Sequence, residues 1–339
     1  MDTLVHPGAD CESPMHVPYR VSVEQYIAFR RDGFLIARGL VSPHEVDELK
    51  AHTEELMYGR VEVPGVPPPP PEATLREMEK RLLRIHMLHR QLEMHERFML
   101  HPRVLDVLEA LIGPDVLAMQ TMLFLKAPGA EGQGYHQDSY YIPTFPDSLC
   151  GAWIAIDRAD EENGCMWMTP GSNHEPIYPP TEGYGYGQRE LGDIITVDRV
   201  GGHSNDDDDI TNGLRPIAAK YAGQEAPCVM EPGDVAFFGG HVLHRSLTNQ
   251  TTDQMRRSFV SHYCNARSFT PWGGGNQEHI LARGNTSLPY AQPRFGTPCA
   301  ANHPETSRAD AGATPAMIMG GKGGDMEAKA PDMNAKHDH

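Results

Sequence analysis

The 339-residue sequence predicts a mainly β protein with flanking helices, and two observations carry that prediction. Between Val116 and Asn265 lie seven short β-rich runs, at 117–126, 134–142, 150–157, 163–169, 226–238, 241–247 and 256–264, separated by Gly, Pro, Asn and Asp. Short strands at that spacing close into an antiparallel barrel or a jelly roll. Upstream of Gly113-Pro114 the apolar residues instead recur with helical period.

Taken in chain order, Ser22 is placed to cap a helix that opens at Val23, and Gly33-Phe34-Leu35-Ile36-Ala37 reads as a short strand. Ser42-Pro43-His44-Glu45 starts a second helix that runs to Tyr58, with proline at a first-turn position where its missing N–H costs nothing. The proline run from Val63 to Pro71 is stiff and extended, and too few residues precede it to make a separate domain, so it reads as an internal loop. Helical pattern resumes from Glu72 to Ile112 with a break near His101-Pro102. Residues 1–20 and 301–339 show no periodicity and are expected to be flexible, leaving one domain over 21–300. Inside it, residues 179–225 form an insertion with Gly183-Tyr184-Gly185-Tyr186-Gly187 and Asp206–Asp209, far longer than a hairpin loop and expected to serve as a lid or substrate-binding insert.

Composition narrows the function classes. The chain has 29 Lys+Arg against 46 Asp+Glu, a net charge of −17, so its surface repels polyanions and nucleic acid is excluded as a natural partner. No run approaches the roughly 20 apolar residues of a membrane helix, and Met1–His6 carries no basic-then-apolar secretion signal. Six cysteines stand far apart with no C-x-x-C pair, which argues against a zinc ribbon or dithiol centre and suits a reducing, cytoplasmic setting. The oligomeric state is left open by the sequence.

The chemistry-bearing residues begin at Gly134-Tyr135-His136-Gln137-Asp138. Two positions apart on a strand, His136 and Asp138 point to one face and can share a ligand. A third donor is expected from another strand, and His244, in Gly239-Gly240-His241-Val242-Leu243-His244, stands in a suitable β context. Two imidazoles and one carboxylate leave open positions on a metal and are the ligand set of non-haem Fe(II) oxygenases. Ser246 shares the strand face of His244, and Arg256 or Arg257 follows in the neighbouring strand. A guanidinium fork beside the metal would hold a carboxylate through two parallel hydrogen bonds, with the serine hydroxyl adding a third. A one-residue slip exchanges the two arginines, and Arg256 is the expected clamp. His241 is expected in a supporting or core position, His86 and His89 as pocket lining or helix surface, and His337-Asp338-His339 as part of the tail. Trp167, Phe237 and Phe238 read as core. The same triad would also serve a jelly-roll metal sensor without turnover, or a cupin-type isomerase or hydrolase using zinc or manganese.

The order H-x-D, then N-G-C with P-G-S-x-H, then G-D-V-x-F-F with H-x-S and R-R, resembles the phytanoyl-CoA dioxygenase family of Fe(II)- and 2-oxoglutarate-dependent oxygenases, over about residues 21–270. The resemblance extends to Arg31–Ser42, Met119–Pro128 and Ala152–Asp157. It implies a double-stranded β-helix (jelly roll, cupin-like) core, with iron held by His136, Asp138 and His244 and the far carboxylate of 2-oxoglutarate held by Arg256 and Ser246. It further implies that Trp153 walls the pocket, that Gln120 reaches the co-substrate or the oxygen bound beside it, and that Arg84 supplies a second basic position. Relatives that halogenate replace the carboxylate ligand with a small residue. Asp138 is retained, so hydroxylation of an unactivated C–H bond in a small metabolite or acyl derivative is expected, using O2 and releasing succinate and carbon dioxide.

Overall fold

A computed structural model of the chain describes residues 17–178, 213–270, 279–288, 291–295 and 317–319. Helix α1 (Val23–Asp32) and helix α2 (Pro43–Met57) begin where their caps place them. Ser22 with Gln25 and Ser42 with Glu45 each form a reciprocal capping box, so two otherwise orphaned backbone donors are satisfied at each start. Between them runs strand β1 (Phe34–Ala37). Gly33 ends α1 at φ 86°, and a Cβ there would meet the side chains of Val242 and Asn173. Glycine alone fits both demands.

The stretch 72–112 departs from the expected long helical pattern. It divides into α3 (Leu75–Arg81), strand β2 (Arg84–His86), a 3-10 turn at Leu88–Arg90, α4 (Glu93–Met99) and α5 (Pro102–Ile112). Three residues are too few for period-two patterning to show, and β2 exists because β3 (Val116–Lys126) offers it an edge, pairing Arg84 with Phe124 and His86 with Met122.

Next come β4 (Gln133–His136), the single-turn helix α6 (Asp138–Tyr141), β5 (Cys150–Ala155), β6 (Met166–Met168), helix α7 (Arg215–Ala219), β7 (Ala226–Pro227) and β8 (Val235–Gly239). Strands β9 (His244–Ser246), β10 (Arg256–Asn265), β11 (Ile280–Arg283) and β12 (Met317–Met319) complete the series. They form two antiparallel sheets. The larger is ordered β1-β8-β5-β10-β3-β2-β12, with β11 also on β3, and the smaller is ordered β4-β9-β6-β7. This is the expected jelly roll.

Strand alternation divides the larger sheet between two cores. Ile85, Leu123, Leu125, Ile154, Phe237 and Phe259 point toward the helices and pack with α2, α4 and α5 residues such as Leu49, Phe98 and Leu108. The alternate residues Trp153, Ala236, Phe238 and Val260 face the smaller sheet and pack on Met166 and Met168. Each central strand is therefore buried on both faces, which is why β10 is buried along nearly its whole length. Phe237 and Phe238 both serve as core, on opposite faces, as expected.

Most of the insert expected at 179–225, with Asp206–Asp209 and the Gly-Tyr run, lies outside the described residues, as do Cys11, Cys299 and His337-Asp338-His339. Within the insert, α7 follows Leu214, which is buried with Tyr178, Ile217 and Leu243. Residues 317–319, in the segment expected to be a tail, form β12 on the edge of β2. Cys150, Cys165, Cys228 and Cys264 are free and buried. No helix among the described residues is long and apolar enough to cross a membrane.

Candidate active site

The smaller sheet sets the first two donors opposite each other. In the antiparallel pair β4 and β9, His136 is the direct partner of His244, and their rings lie 4.0 Å apart. Each ring is oriented alike: His136 Nδ1 donates to the Gly134 carbonyl at 2.9 Å, and His244 Nδ1 donates to the Val242 carbonyl at 2.9 Å. Those bonds place the proton on Nδ1 and make Nε2 the acceptor nitrogen of each ring. Gln133 donates its amide to His136 Nε2 at 3.0 Å, a bond that a metal ion on that lone pair would replace.

Asp138 arrives by a different route from the one expected. The strand ends at His136, and Asp138 opens α6 instead of continuing the strand. The turn is held where Ser139 N–H donates to the Gly240 carbonyl at 2.9 Å, and a Cβ on Gly240 would lie 2.0 Å from Ser139 Oγ. Asp138 Oδ1 then stands 3.6 Å from His136 Nε2 and 3.7 Å from His244 Nε2. One donor atom from each residue lies within 4.8 Å of the others, and among the described residues no other group of three such donors meets this criterion. Burial opposes charge on Asp138, yet the imidazoles of His244, His262 and His136 hold its carboxyl well below the usual carboxylate range. It is the ionised form that ligates a metal.

His262, which the sequence analysis did not single out, completes the surroundings of Asp138. Its Nε2 donates to Asp138 Oδ2 at 2.9 Å, and its Nδ1 lies 3.1 Å from the Gln120 amide nitrogen. The Gln120 amide, expected at the co-substrate, is thus engaged with His262. Alternation would have found this histidine: on β10, residues 256, 258, 260 and 262 share a face.

Arg256 and Arg257 have opposite surroundings. Arg257 points to the helix side, where it donates to Asp157 at 2.7 and 2.9 Å and to Glu54 at 2.9 Å. Arg256 points between the sheets, 3% exposed, with no ion pair among the described residues and with Nε lacking a hydrogen-bond partner there. Its guanidinium lies 5.5 Å from the Trp153 ring centre and reaches Ser258 Oγ at 3.4 Å. Burial pushes it down to about 10. Opposite Arg256 in register stands Lys126, also buried, whose Nζ donates to Ser246 Oγ at 3.1 Å and to the carbonyls of Gly164 and Leu247. Ser246 Oγ accepts a second bond from the Gln133 N–H at 3.2 Å. With both lone pairs used, its own proton is left to donate elsewhere.

Arg84 occupies the same face of the larger sheet two strands from Ser258, with Phe124 between them. It is buried, its Nε has no partner, and burial lowers it to about 10. The aromatic rings of Tyr141 and Phe238 flank the histidines, 6.4 Å from His136 and 5.0 Å from His244. His241 stands in a loop with Nδ1 on the Glu175 carbonyl and Nε2 3.4 Å from Asp147, apart from the triad and more exposed than a core residue. His89 is wholly buried, with Nδ1 2.9 Å from Thr121 Oγ1, so it belongs to the core and not to a helix surface.

These residues suit a divalent metal together with an anion: two imidazoles and one carboxylate converge, and Arg256 and Arg84, buried on one face of the larger sheet, each keep an Nε without a hydrogen-bond partner among the described residues. The family model described as Phytanoyl-CoA dioxygenase (PhyH) matches residues 29–258. The chain belongs to the phytanoyl-CoA dioxygenase family. It is accordingly an oxygenase that depends on Fe(II), 2-oxoglutarate and O2. The chain is similar to the peroxisomal phytanoyl-CoA dioxygenase of Rattus norvegicus, 26% identical over 84% of this chain and 80% of the relative. Among solved structures, the non-heme monooxygenase ThoJ in its apo form matches 80% of this chain and 88% of its own with a TM-score of 0.55 at 20% identity. The epimerase SnoN, solved with Fe3+, alpha ketoglutarate and nogalamycin RO, matches 81% of this chain and 96% of its own with a TM-score of 0.53 at 19% identity. At those identities the shared property is the fold.

Proposed function

We propose that this family member hydroxylates an unactivated C–H bond of a small metabolite or acyl derivative, with His136, Asp138 and His244 holding iron and Arg256 with Ser246 holding the far carboxylate of 2-oxoglutarate. The observation that carries the reading is Arg256: a buried guanidinium with no ion pair among the described residues and an unpartnered Nε, on the sheet face that packs against the strands of the donor triad, is poised for an anion. Ser246 supports it, because the bonds from Lys126 and Gln133 turn its hydroxyl proton outward. Trp153 covers the face of the guanidinium and keeps water from it. Arg84 offers a second cation to the co-substrate or to an acidic substrate.

When bound, iron and 2-oxoglutarate supply the activation of dioxygen that no side chain can provide. The chain's own part is positional. His136 and His244 present fixed Nε2 lone pairs, Asp138 adds negative charge without a bulky group, and the dry wall of Trp153, Phe238 and Val260 excludes solvent. Tyr141, whose ring lies 6.4 Å from that of His136, and its neighbours Tyr135 and Tyr140 are candidate substrate contacts.

The test is substrate-triggered succinate release from metabolite extracts, comparing the native protein with His136→Ala. The expected result is release above the variant's background together with a visible charge-transfer band on anaerobic addition of Fe(II) and 2-oxoglutarate. No band and no release would refute the reading.

A further inference from the structure

Asp138 has two carboxylate oxygens, and the structure assigns them different partners. Oδ1 faces the Nε2 atoms of His136 and His244, while Oδ2 is taken by His262 Nε2 at 2.9 Å. We infer that His262 is a positioning residue that reserves Oδ2, so that Asp138 offers a metal one oxygen instead of two, and that Gln120 sets His262 to do so. The inference rests on the reading that His136, Asp138 and His244 form the metal site.

The hydrogen-bond directions make the case. An ionised carboxylate only accepts, so the bond at Oδ2 requires the proton of His262 on Nε2. Nδ1 of a neutral ring must then accept, and the Gln120 amide nitrogen, 3.1 Å away, is the donor it needs. Without that donor the proton is free to move to Nδ1, which would turn a lone pair toward Oδ2 and reverse the interaction. The elements fix both contacts: His262 and Gln120 are direct partners across β10 and β3, next to a register shift, and the Phe238 ring packs 6.5 Å from the imidazole. His262 is only 4% exposed, so water does not compete for either nitrogen.

The consequence concerns coordination positions. Two imidazoles and a carboxylate offering one oxygen would supply three donor atoms to a metal and leave room for exchangeable ligands. A carboxylate free to swing and bind through both oxygens would add a fourth. Reserving Oδ2 also removes rotational freedom about the Asp138 side chain before the metal arrives, which favours binding.

The experiment uses the metal-free full-length protein titrated anaerobically with Co(II), following the d–d absorption, beside the thermal midpoint of each apo variant. His262→Leu is expected to weaken Co(II) binding about 10–100-fold and to change the d–d band shape. His262→Gln, whose amide can donate to Oδ2, is expected to recover most of the affinity and the native spectrum. Gln120→Leu is expected to fall between them. A folded His262→Leu protein with native affinity and spectrum overturns the inference, provided Asp138→Ala no longer binds. Failure of His262→Gln to recover affinity overturns it too, because the donor would then not be the operative property. If His262→Leu does not fold, the decision passes to the other two variants: Gln120→Leu must weaken binding while His262→Gln retains it. Undiminished Co(II) binding by Asp138→Ala is a different outcome, and it refutes the metal-site reading itself.

Discussion

Arg256 and Arg257 share a chemistry and differ in company, which makes them a matched pair of tests. Arg257 neutralises Asp157, which is 12% exposed at its side chain and otherwise has Lys50 at 3.3 Å, so Arg257→Leu leaves a buried carboxylate short of its main partner. Expected is a loss of about 3–5 kcal/mol of stability by urea unfolding, with 2-oxoglutarate affinity nearly unchanged in the folded fraction. Arg256 forms no ion pair among the described residues, and its guanidinium reaches only Ser258 Oγ and the Trp153 ring. Arg256→Leu should therefore leave the apo thermal midpoint unchanged or raised while weakening 2-oxoglutarate binding by about 2–5 kcal/mol, read as the Kd from an anaerobic titration. Equal effects of the two substitutions on both quantities would refute the division of roles. Sequence alone placed the two arginines on opposite faces by alternation. Which of the two is ion-paired depended on Asp157 and Glu54, residues a hundred or more positions away.

The strand pair β4 and β9 is the element on which the site depends, and it tolerates no added bulk at its start. A Cβ on Gly132 would lie 2.0 Å from the Ser246 carbonyl oxygen, a backbone atom that cannot rotate aside. Gly132→Ala should push the two strands apart, cost about 1–3 kcal/mol, and weaken Fe(II) and 2-oxoglutarate binding together, because His136, His244 and Ser246 all move with those strands. Native affinities in a stable Gly132→Ala protein would contradict this. The same element shows where pattern reading falls short. A strand was expected through 134–142, and the two-residue spacing of His136 and Asp138 did bring them together, but through a strand-to-helix turn anchored on Gly240. Strand β2 was hidden for a related reason, since its three residues adopt extended backbone only because β3 lies beside them.

Across the whole molecule, folding buries several histidines in neutral form. His89 and His95 are held well below the usual imidazole value by burial, with nearby cationic or imidazole groups adding to the effect, and burial with Arg90 nearby lowers His279 to about 4. The folded values lie below the unfolded value near 6.5, so the unfolded chain takes up protons first as pH falls. Their contribution to stability is complete above that value and diminishes below it, for His279 until about pH 4. Each such group adds a slope of roughly 1.4 kcal/mol per pH unit within its window. Urea unfolding from pH 7 to 4.5 should show stability falling, and His95→Phe should make the fall shallower by about one group's share. An unchanged slope in that variant would show that His95 is protonated in the folded state.

What the sequence determined by itself is what repeats locally or has fixed spacing: the two capped helices, the succession of short strands, the H-x-D pair with its distant histidine, and the excess of acid. Capping, alternation and turn chemistry act over a few residues, so they are written in the order of residues. What only the tertiary structure decided is which atoms meet across strands: that Arg257 is neutralised and Arg256 is not, that Asp138 turns into a helix, and that His262 and Gln120 close around its second oxygen. Those outcomes depend on sheet register and on desolvation, properties of segments brought together from far apart in the chain. No local pattern encodes them.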